Sequence, residues 1–237
     1  MNRPEQTNVA ELDKQLLRTS LFESGFARLG PVLSREQCQT LRASYQNAEL
    51  FRSRVDMSRF GFGRGQYQYF AAPLPPLVAQ LREQLYGPLV AIANDWMSAL
   101  GKDATFPSSL TDFLKRCQQQ GQGKPTPLIL RYQAGDYNCL HQDLYGAVFF
   151  PFQAIIGLSV AGEDFTGGEL LLVEQRPRAQ SAGRVITLSQ GEGVVIATRY
   201  RPARGARGFY RTTVRHGVSQ VLSGERFTLG VIFHDAE

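Results

Sequence analysis

From Pro127 onward the chain reads as short β-like runs separated by turns, and this texture limits the folds open to it more than any other feature. The runs are Leu128–Tyr132, Cys139–Asp143, Phe149–Ser159, Glu169–Glu174, Arg184–Leu188, Gly193–Thr198, Tyr210–Val218 and Arg226–Phe233. Eight strands at this spacing form the pattern of a two-sheet jelly roll. We expect an α+β fold with a mainly β core: a cupin-like double-stranded β-helix over residues 125–237, with supporting helices from the first half.

Residues 1–124 read differently, as an N-terminal region packing on that core within one compact domain, and as a candidate substrate lid. Leu12, Leu16, Leu17 and Leu21 have helical spacing, which predicts a helix over Val9–Glu23 ending at Gly25. A short strand over Phe26–Leu33 follows. Ser34-Arg35-Glu36-Gln37 has the form of a capping box, so a helix to about Asn47 should begin there. Phe51–Met57 alternates like a strand, and helices are expected over Leu77–Leu100 and Leu110–Gln120. Between them, Ser58–Phe70 interleaves Arg59, Phe60, Phe62, Arg64, Tyr67, Tyr69 and Phe70 with glycines. Aromatic faces and arginines suit a nucleic-acid lid; a hairpin covering the barrel is the plainer alternative. Gly61-x-Gly63-x-Gly65 lacks the strand–turn–helix setting of a nucleotide fingerprint and reads as a loop.

Cys38, Cys117 and Cys139 are odd in number and widely spaced, so neither a disulfide framework nor a thiolate zinc site is indicated. Cys139 is expected to be inert packing. No apolar run reaches membrane-span length, and Met1–Leu12 has no signal-peptide core, so a cytoplasmic protein is expected. The net charge is +5, unevenly placed. Arg199, Arg201, Arg204, Arg207, Arg211 and Arg215 fall in one stretch, with no acidic residue between Glu192 and Glu225. Such an excess attracts polyanions, or it is a solvated loop.

The chemistry sits in Arg131–Asp143, which ends in His141-x-Asp143. Residues i and i+2 of a strand share a side, so imidazole and carboxylate can reach one ion together. His216, inward with Thr212 and Val214 by alternation, would complete two nitrogens and one oxygen with open positions, the arrangement of non-haem Fe(II) oxygenases. On the next strand Arg226 and Thr228 share one face, whereas Leu229, Val231 and Phe233 share the other. An inward guanidinium beside a hydroxyl suits the distal carboxylate of 2-oxoglutarate. The bland alternatives are a structural salt bridge for Arg226 and a buried hydrogen-bonded His216. His234, at the chain end, is expected at the surface and is the one competitor for the third ligand.

Arg131-Tyr132-x-x-Gly135 followed by Leu140-His141-Gln142-Asp143 resembles the corresponding segment of AlkB-type nucleic-acid demethylases. With Glu163–Glu169 and Arg215-His216-Gly217-Val218, it resembles more closely a bacterial 2-oxoglutarate/Fe(II) oxygenase family described as acting on damaged DNA. That resemblance implies Fe(II) on His141, Asp143 and His216, 2-oxoglutarate on Tyr132 and Arg226, O2 as co-substrate and ascorbate as a reductant. The aromatic–arginine stretch and the arginine cluster make Arg59, Arg64, Tyr67, Arg204 and Arg207 candidate nucleic-acid contacts. Leu130 departs from the asparagine usual in AlkB proteins. Gly167-Gly168-Glu169 and the ten-residue His216–Arg226 spacing are closer to prolyl-4-hydroxylase-like oxygenases. A protein or small-molecule hydroxylase is therefore the alternative, and a non-catalytic jelly-roll binding module the third.

Overall fold

The computed structural model describes residue 9 and residues 12–103 and 105–237. The first-half helices are α1 (Lys14–Ser24), α2 (Arg35–Ser44), α3 (Pro76–Ala99) and α4 (Leu110–Gln119). α1 begins at Lys14, where the Asp13 carboxylate accepts from Gln15 N and Leu16 N. Residues 10 and 11 of the expected longer helix, and most of the Met1–Leu12 stretch, lie outside the described residues. The capping box forms as expected, with Ser34 and Gln37 satisfying each other's backbone donors. The chain then leaves α2 at Ser44, short of Asn47.

Strands β1 (Phe26–Pro31), β2 (Phe51–Asp56), β3 (Gly63–Arg64) and β4 (Gln66–Phe70) lie among these helices. The second half contributes β5 (Leu128–Gln133), β6 (Tyr137–His141), β7 (Phe152–Gly157), β8 (Phe165–Gly167), β9 (Leu170–Gln175), β10 (Ala182–Ile186), β11 (Glu192–Ala197), β12 (Tyr200–Gly205), β13 (Gly208–Val218) and β14 (Val221–Ile232). They make two sheets. The major sheet runs β1-β11-β7-β14-β5-β4-β2, with β8 on β14; the minor runs β10-β9-β13-β6-β3, with β12 on β13. This is the expected jelly-roll core with N-terminal helices.

All eight strands expected after Pro127 are present, and two others in that half had no reading. β8 is only three residues long, and β12 lies in the arginine stretch, for which a polyanion-attracting patch and a solvated loop were the two readings. That stretch is a β12–β13 hairpin because its alternate residues have places to go. Arg201 is buried at 3% exposure, donating to both oxygens of Glu174 at 2.9 and 2.7 Å, while Arg204 and Arg207 are exposed.

Alternation places the core. Ile155, Val194 and Ile196 face between the sheets with Leu170, Leu172 and Ile186. Their neighbours Ala154, Ile156, Val195 and Ala197 face the helices. α3 answers with Val78, Leu81, Leu85, Leu89, Ile92, Ala93 and Trp96, a three-to-four-residue stripe. Arg82 pins α3 to the chain end, donating to Ile232 O, Phe233 O and Asp235 Oδ1. Truncating one such core leucine, Leu85→Ala, should cost about 2–5 kcal/mol.

Residues 51–70 are a hairpin built into the major sheet, β2 on β4 and β4 on β5. Its tip crosses to the minor sheet as β3, which pairs with β6. The hairpin therefore bridges both sheets at the strand that carries His141.

Candidate active site

β6 and β13 are antiparallel neighbours, and their register sets His141 directly opposite His216. The two imidazole centroids lie 4.2 Å apart. Asp143 stands two residues past the end of β6 and turns back between them: its Oδ1 is 3.5 Å from His141 Nε2 and its Oδ2 is 3.1 Å from His216 Nε2. One donor atom from each lies within 4.8 Å of the others. His141 Nδ1 contacts Cys139 O at 2.8 Å, which leaves Nε2 as the nitrogen facing the cluster.

Asp143 is held from outside the cluster as well. Tyr145 Oη donates to Oδ1 at 2.7 Å and Gln153 Nε2 donates to Oδ2 at 2.8 Å. Burial works to raise the Asp143 carboxyl, but His216 and the hydrogen bonds of both histidines hold it well below the ordinary range. Burial works to lower His141, and the Asp143 hydrogen bond and charge override it and raise it. His216 goes down, by burial and then by the neighbouring His141. The result is a localised negative charge flanked by two nitrogens, a donor set that fits a divalent cation.

The cluster opens into a cavity of about 280 Å³, whose lining also includes Tyr132, Asn138, Arg226 and Thr228. Arg226 is 4% exposed, and its Nη1 is buried with no partner. Burial pushes its pKa down. A buried guanidinium with a free nitrogen is costly unless an anion arrives. Tyr132 is fully buried, its ring 5.5 Å from the guanidinium carbon, and its hydroxyl accepts from Asn138 at 3.3 Å. Gly168 makes room for the arginine: its φ is +64°, and a Cβ there would lie 2.9 Å from Arg226 Cδ. A donor set that fits a divalent cation and a buried guanidinium with one unpartnered nitrogen thus share one chamber.

A family described as "Oxygenase, catalysing oxidative methylation of damaged DNA" matches residues 65–236. The chain belongs to this family. An uncharacterised protein of Mycobacterium tuberculosis is 50% identical over 167 residues, covering 70% of this chain and 72% of its own. Among solved structures, a prolyl-4-hydroxylase of Pseudomonas putida superposes with a TM-score of 0.55 at 14% identity, covering 97% of this chain and 100% of that one. A 2-oxoglutarate/Fe(II) oxygenase family oxidoreductase from Burkholderia pseudomallei gives 0.54 at 18%, covering 99% and 95%. At such identities the likeness is one of fold. The protein is an oxygenase of the 2-oxoglutarate/Fe(II) superfamily.

Two expectations for this oxygenase are corrected by the structure. His234 is not at the surface: it is 0% exposed, packed 5.9 Å from the Tyr145 ring, with Nδ1 accepting from Phe150 N. Arg82 draws this segment inward, so Phe233, His234 and Asp235 are buried. His234 is not part of the His141–Asp143–His216 cluster. Cys139 is not packing, because it is exposed; its carbonyl is what engages the site, orienting His141.

Of the candidate nucleic-acid contacts, Tyr67 lines the cavity and Arg59 and Arg64 are exposed on the adjoining hairpin. Arg204 lines a different groove, beside α1 and α3. Tyr145, Gln153, Asn138 and Tyr69 were missed as site residues. Gln153 left a signal: a lone amide inside the apolar run Phe149–Ser159 has to find a buried partner.

Proposed function

We propose that His141, Asp143 and His216 hold one Fe(II), that Arg226 with Thr228 and Tyr132 holds the distal carboxylate of 2-oxoglutarate, and that the reaction oxidises an N-alkyl group on a nucleobase. The observation that carries this is the buried, unpartnered Arg226 Nη1 lining the same chamber as two imidazoles and a carboxylate. When bound, the iron supplies oxidation of a C–H bond by O2, coupled to conversion of 2-oxoglutarate to succinate and carbon dioxide.

The chain's own residues do the rest. Asp143 contributes the single negative charge, and the Tyr145 and Gln153 donors fix which way its oxygens point. Arg226 neutralises the distal carboxylate of the co-substrate at a buried position, where a charge-assisted pair is strong. Leu130, Ile155 and Leu170 keep the chamber apolar around it. Tyr67, Tyr69 and Phe62 wall the cavity with rings, which suits a flat substrate. The family's description supports damaged DNA as the target. Its wording is methylation, yet insertion of oxygen at an N-methyl carbon gives N–CH2OH, which loses formaldehyde and leaves N–H. We therefore read the outcome as removal of the methyl group. A buried-in-duplex base cannot reach the cavity, so the substrate is single-stranded or flipped out.

The prolyl-hydroxylase-like reading keeps the same residues and changes the target to a protein side chain or a metabolite; the ten-residue spacing from His216 to Arg226 favours it. The three free cysteines fit a reducing cytoplasm under either reading. The test is succinate formation by the purified protein with Fe(II), 2-oxoglutarate and ascorbate, offered N-methylated oligonucleotides against peptide and metabolite panels. We expect substrate-stimulated succinate with the oligonucleotides, lost in His141→Ala and Asp143→Ala. Unchanged turnover in those variants removes the metal assignment, and stimulation by a peptide or metabolite alone transfers the activity to the second reading.

A further inference from the structure

Two phenylalanines of the β2–β4 hairpin stand in solvent beside the cavity. Phe60 is 60% and Phe62 48% exposed, and their rings stack at 5.6 Å with an interplanar angle of 21°. Phe62 also lines the chamber that holds His141, Asp143 and His216, whereas Phe60 extends the aromatic surface outward.

The loop that carries them is held in place. Phe62 N donates to Met57 O at 3.1 Å, Cys139 N donates to Phe62 O at 2.9 Å, and Met57 is fully buried beneath. Gly63, at φ +125°, lies so close to β6 that a Cβ would sit 2.4 Å from Tyr137 O. The pair is therefore a preorganised apolar surface, with its ordering cost already met on folding.

Charge selects the occupant. Arg59 is exposed and has no ion pair among the described residues. Arg64 is 63% exposed, and its Nε comes no nearer than 3.9 Å to Asp136. A flat apolar ligand flanked by negative charge meets both demands, and an unpaired base followed by its phosphate has that form. Building on the nucleic-acid reading above, the geometry points to Phe60 and Phe62 as a stacking platform for the nucleobase next to the target, holding a single strand while the target base enters the cavity.

The platform predicts a signature that general electrostatic binding lacks. A single-stranded oligonucleotide carrying 2-aminopurine beside an N-methylated base is titrated with the full chain, reading anisotropy and the quenching that follows stacking. Wild type should bind and quench. Phe60→Leu with Phe62→Leu should lose the quenching and bind on the order of ten-fold more weakly. Phe60→Tyr, which keeps a ring, should retain both. The melting temperature and far-UV circular dichroism of the metal-free leucine double variant, compared with wild type, check that the fold is intact.

If wild type binds and the double variant binds and quenches equally well, the platform is overturned and the nucleic-acid reading stands. Equal weakening towards an oligonucleotide abasic at the 2-aminopurine position also overturns it, since the contact is then with the backbone. No binding by wild type at low salt overturns both. Capture of aromatic peptides in preference to any oligonucleotide overturns the platform in favour of a polypeptide partner.

Discussion

Tyr145 donates a 2.7 Å hydrogen bond to Asp143, its neighbour two residues back, and so orients the only carboxylate of the cluster. Burial and the Asp143 charge push the Tyr145 phenol well above its ordinary value, so it remains a donor throughout the usable pH range. Gln153 holds the second oxygen from β7. Neither residue is placed to bind a metal itself; both restrict the carboxylate to one rotation.

Tyr145→Phe and Gln153→Leu should therefore each lower metal affinity by about 10–100-fold while leaving the fold intact. Titration with Co(II), followed by its visible absorption, measures this without turnover. Affinities within a factor of two of wild type would mean that the carboxylate is oriented by the histidines alone.

Arg226→Met separates the function of the arginine from its effect on stability. The guanidinium is buried and Nη1 has no partner, so its removal should not lower the melting temperature of the metal-free protein. The same change should weaken 2-oxoglutarate binding by about 2–5 kcal/mol, the usual loss when one member of a buried charged pair is truncated. Arg226→Lys should fall between, because an ammonium lacks the planar fork. The measurement is the thermal shift with and without 2-oxoglutarate in the presence of Mn(II). A metal-free Arg226→Met that melts far below wild type would make Arg226 a structural residue.

His234 should make the fold acid-sensitive. Burial pushes its pKa down to about 4 from an ordinary 6.5. Above 6.5 both folded and unfolded chains carry it neutral, and its full contribution is present. Below 6.5 the unfolded chain takes up a proton that the folded chain refuses, so stability falls with pH until about 4, by about 1.4 kcal/mol per unit at most. Urea midpoints between pH 7 and pH 5 should drop less in His234→Gln than in wild type. Parallel slopes would show that other groups govern the acid limb.

Much of this was readable from the chain because the second half alternates so regularly. Arg226, Thr228 and Ile232 line the cavity while Phe227, Leu229, Val231 and Phe233 enter the helix-side core, as period two requires. The meeting of His141 with His216 was legible for the same reason, whereas Asp143, expected on the same strand, lies past the end of β6 and joins the pair from outside it. What stayed hidden depends on long-range partners. Nothing near His234 in the sequence reveals that Arg82, some 150 residues earlier, draws this segment inward. Nor does the arginine stretch announce that Glu174 waits for Arg201. Phe60 and Phe62 were visible as aromatic residues, but their stacking and exposure arise from the turn at Gly61, φ +70°.

The arginines of the β12–β13 hairpin should divide sharply by direction. Arg201 points in, makes a bidentate pair with Glu174 and donates to Phe22 O at 2.6 Å; Arg201→Ala leaves the buried carboxylate with Arg176 alone, 2.9 Å from Oε1, and should cost about 2–3 kcal/mol, less than the loss of a sole partner. Burial alone would raise Glu174, yet Arg176 and Arg201 hold it below its ordinary value, so the pair's contribution is present above that value and is lost as pH falls through the depressed one. Arg204 and Arg207 point out, and their replacement by Gln should leave stability within about 0.5 kcal/mol of wild type. If they contact phosphates, each replacement should reduce the salt dependence of oligonucleotide binding by about one counterion. Urea melts and binding isotherms at several salt concentrations read both effects. An unchanged salt slope in Arg204→Gln with Arg207→Gln would confine nucleic-acid contacts to the hairpin at the cavity mouth, where Arg59 and Arg64 lie.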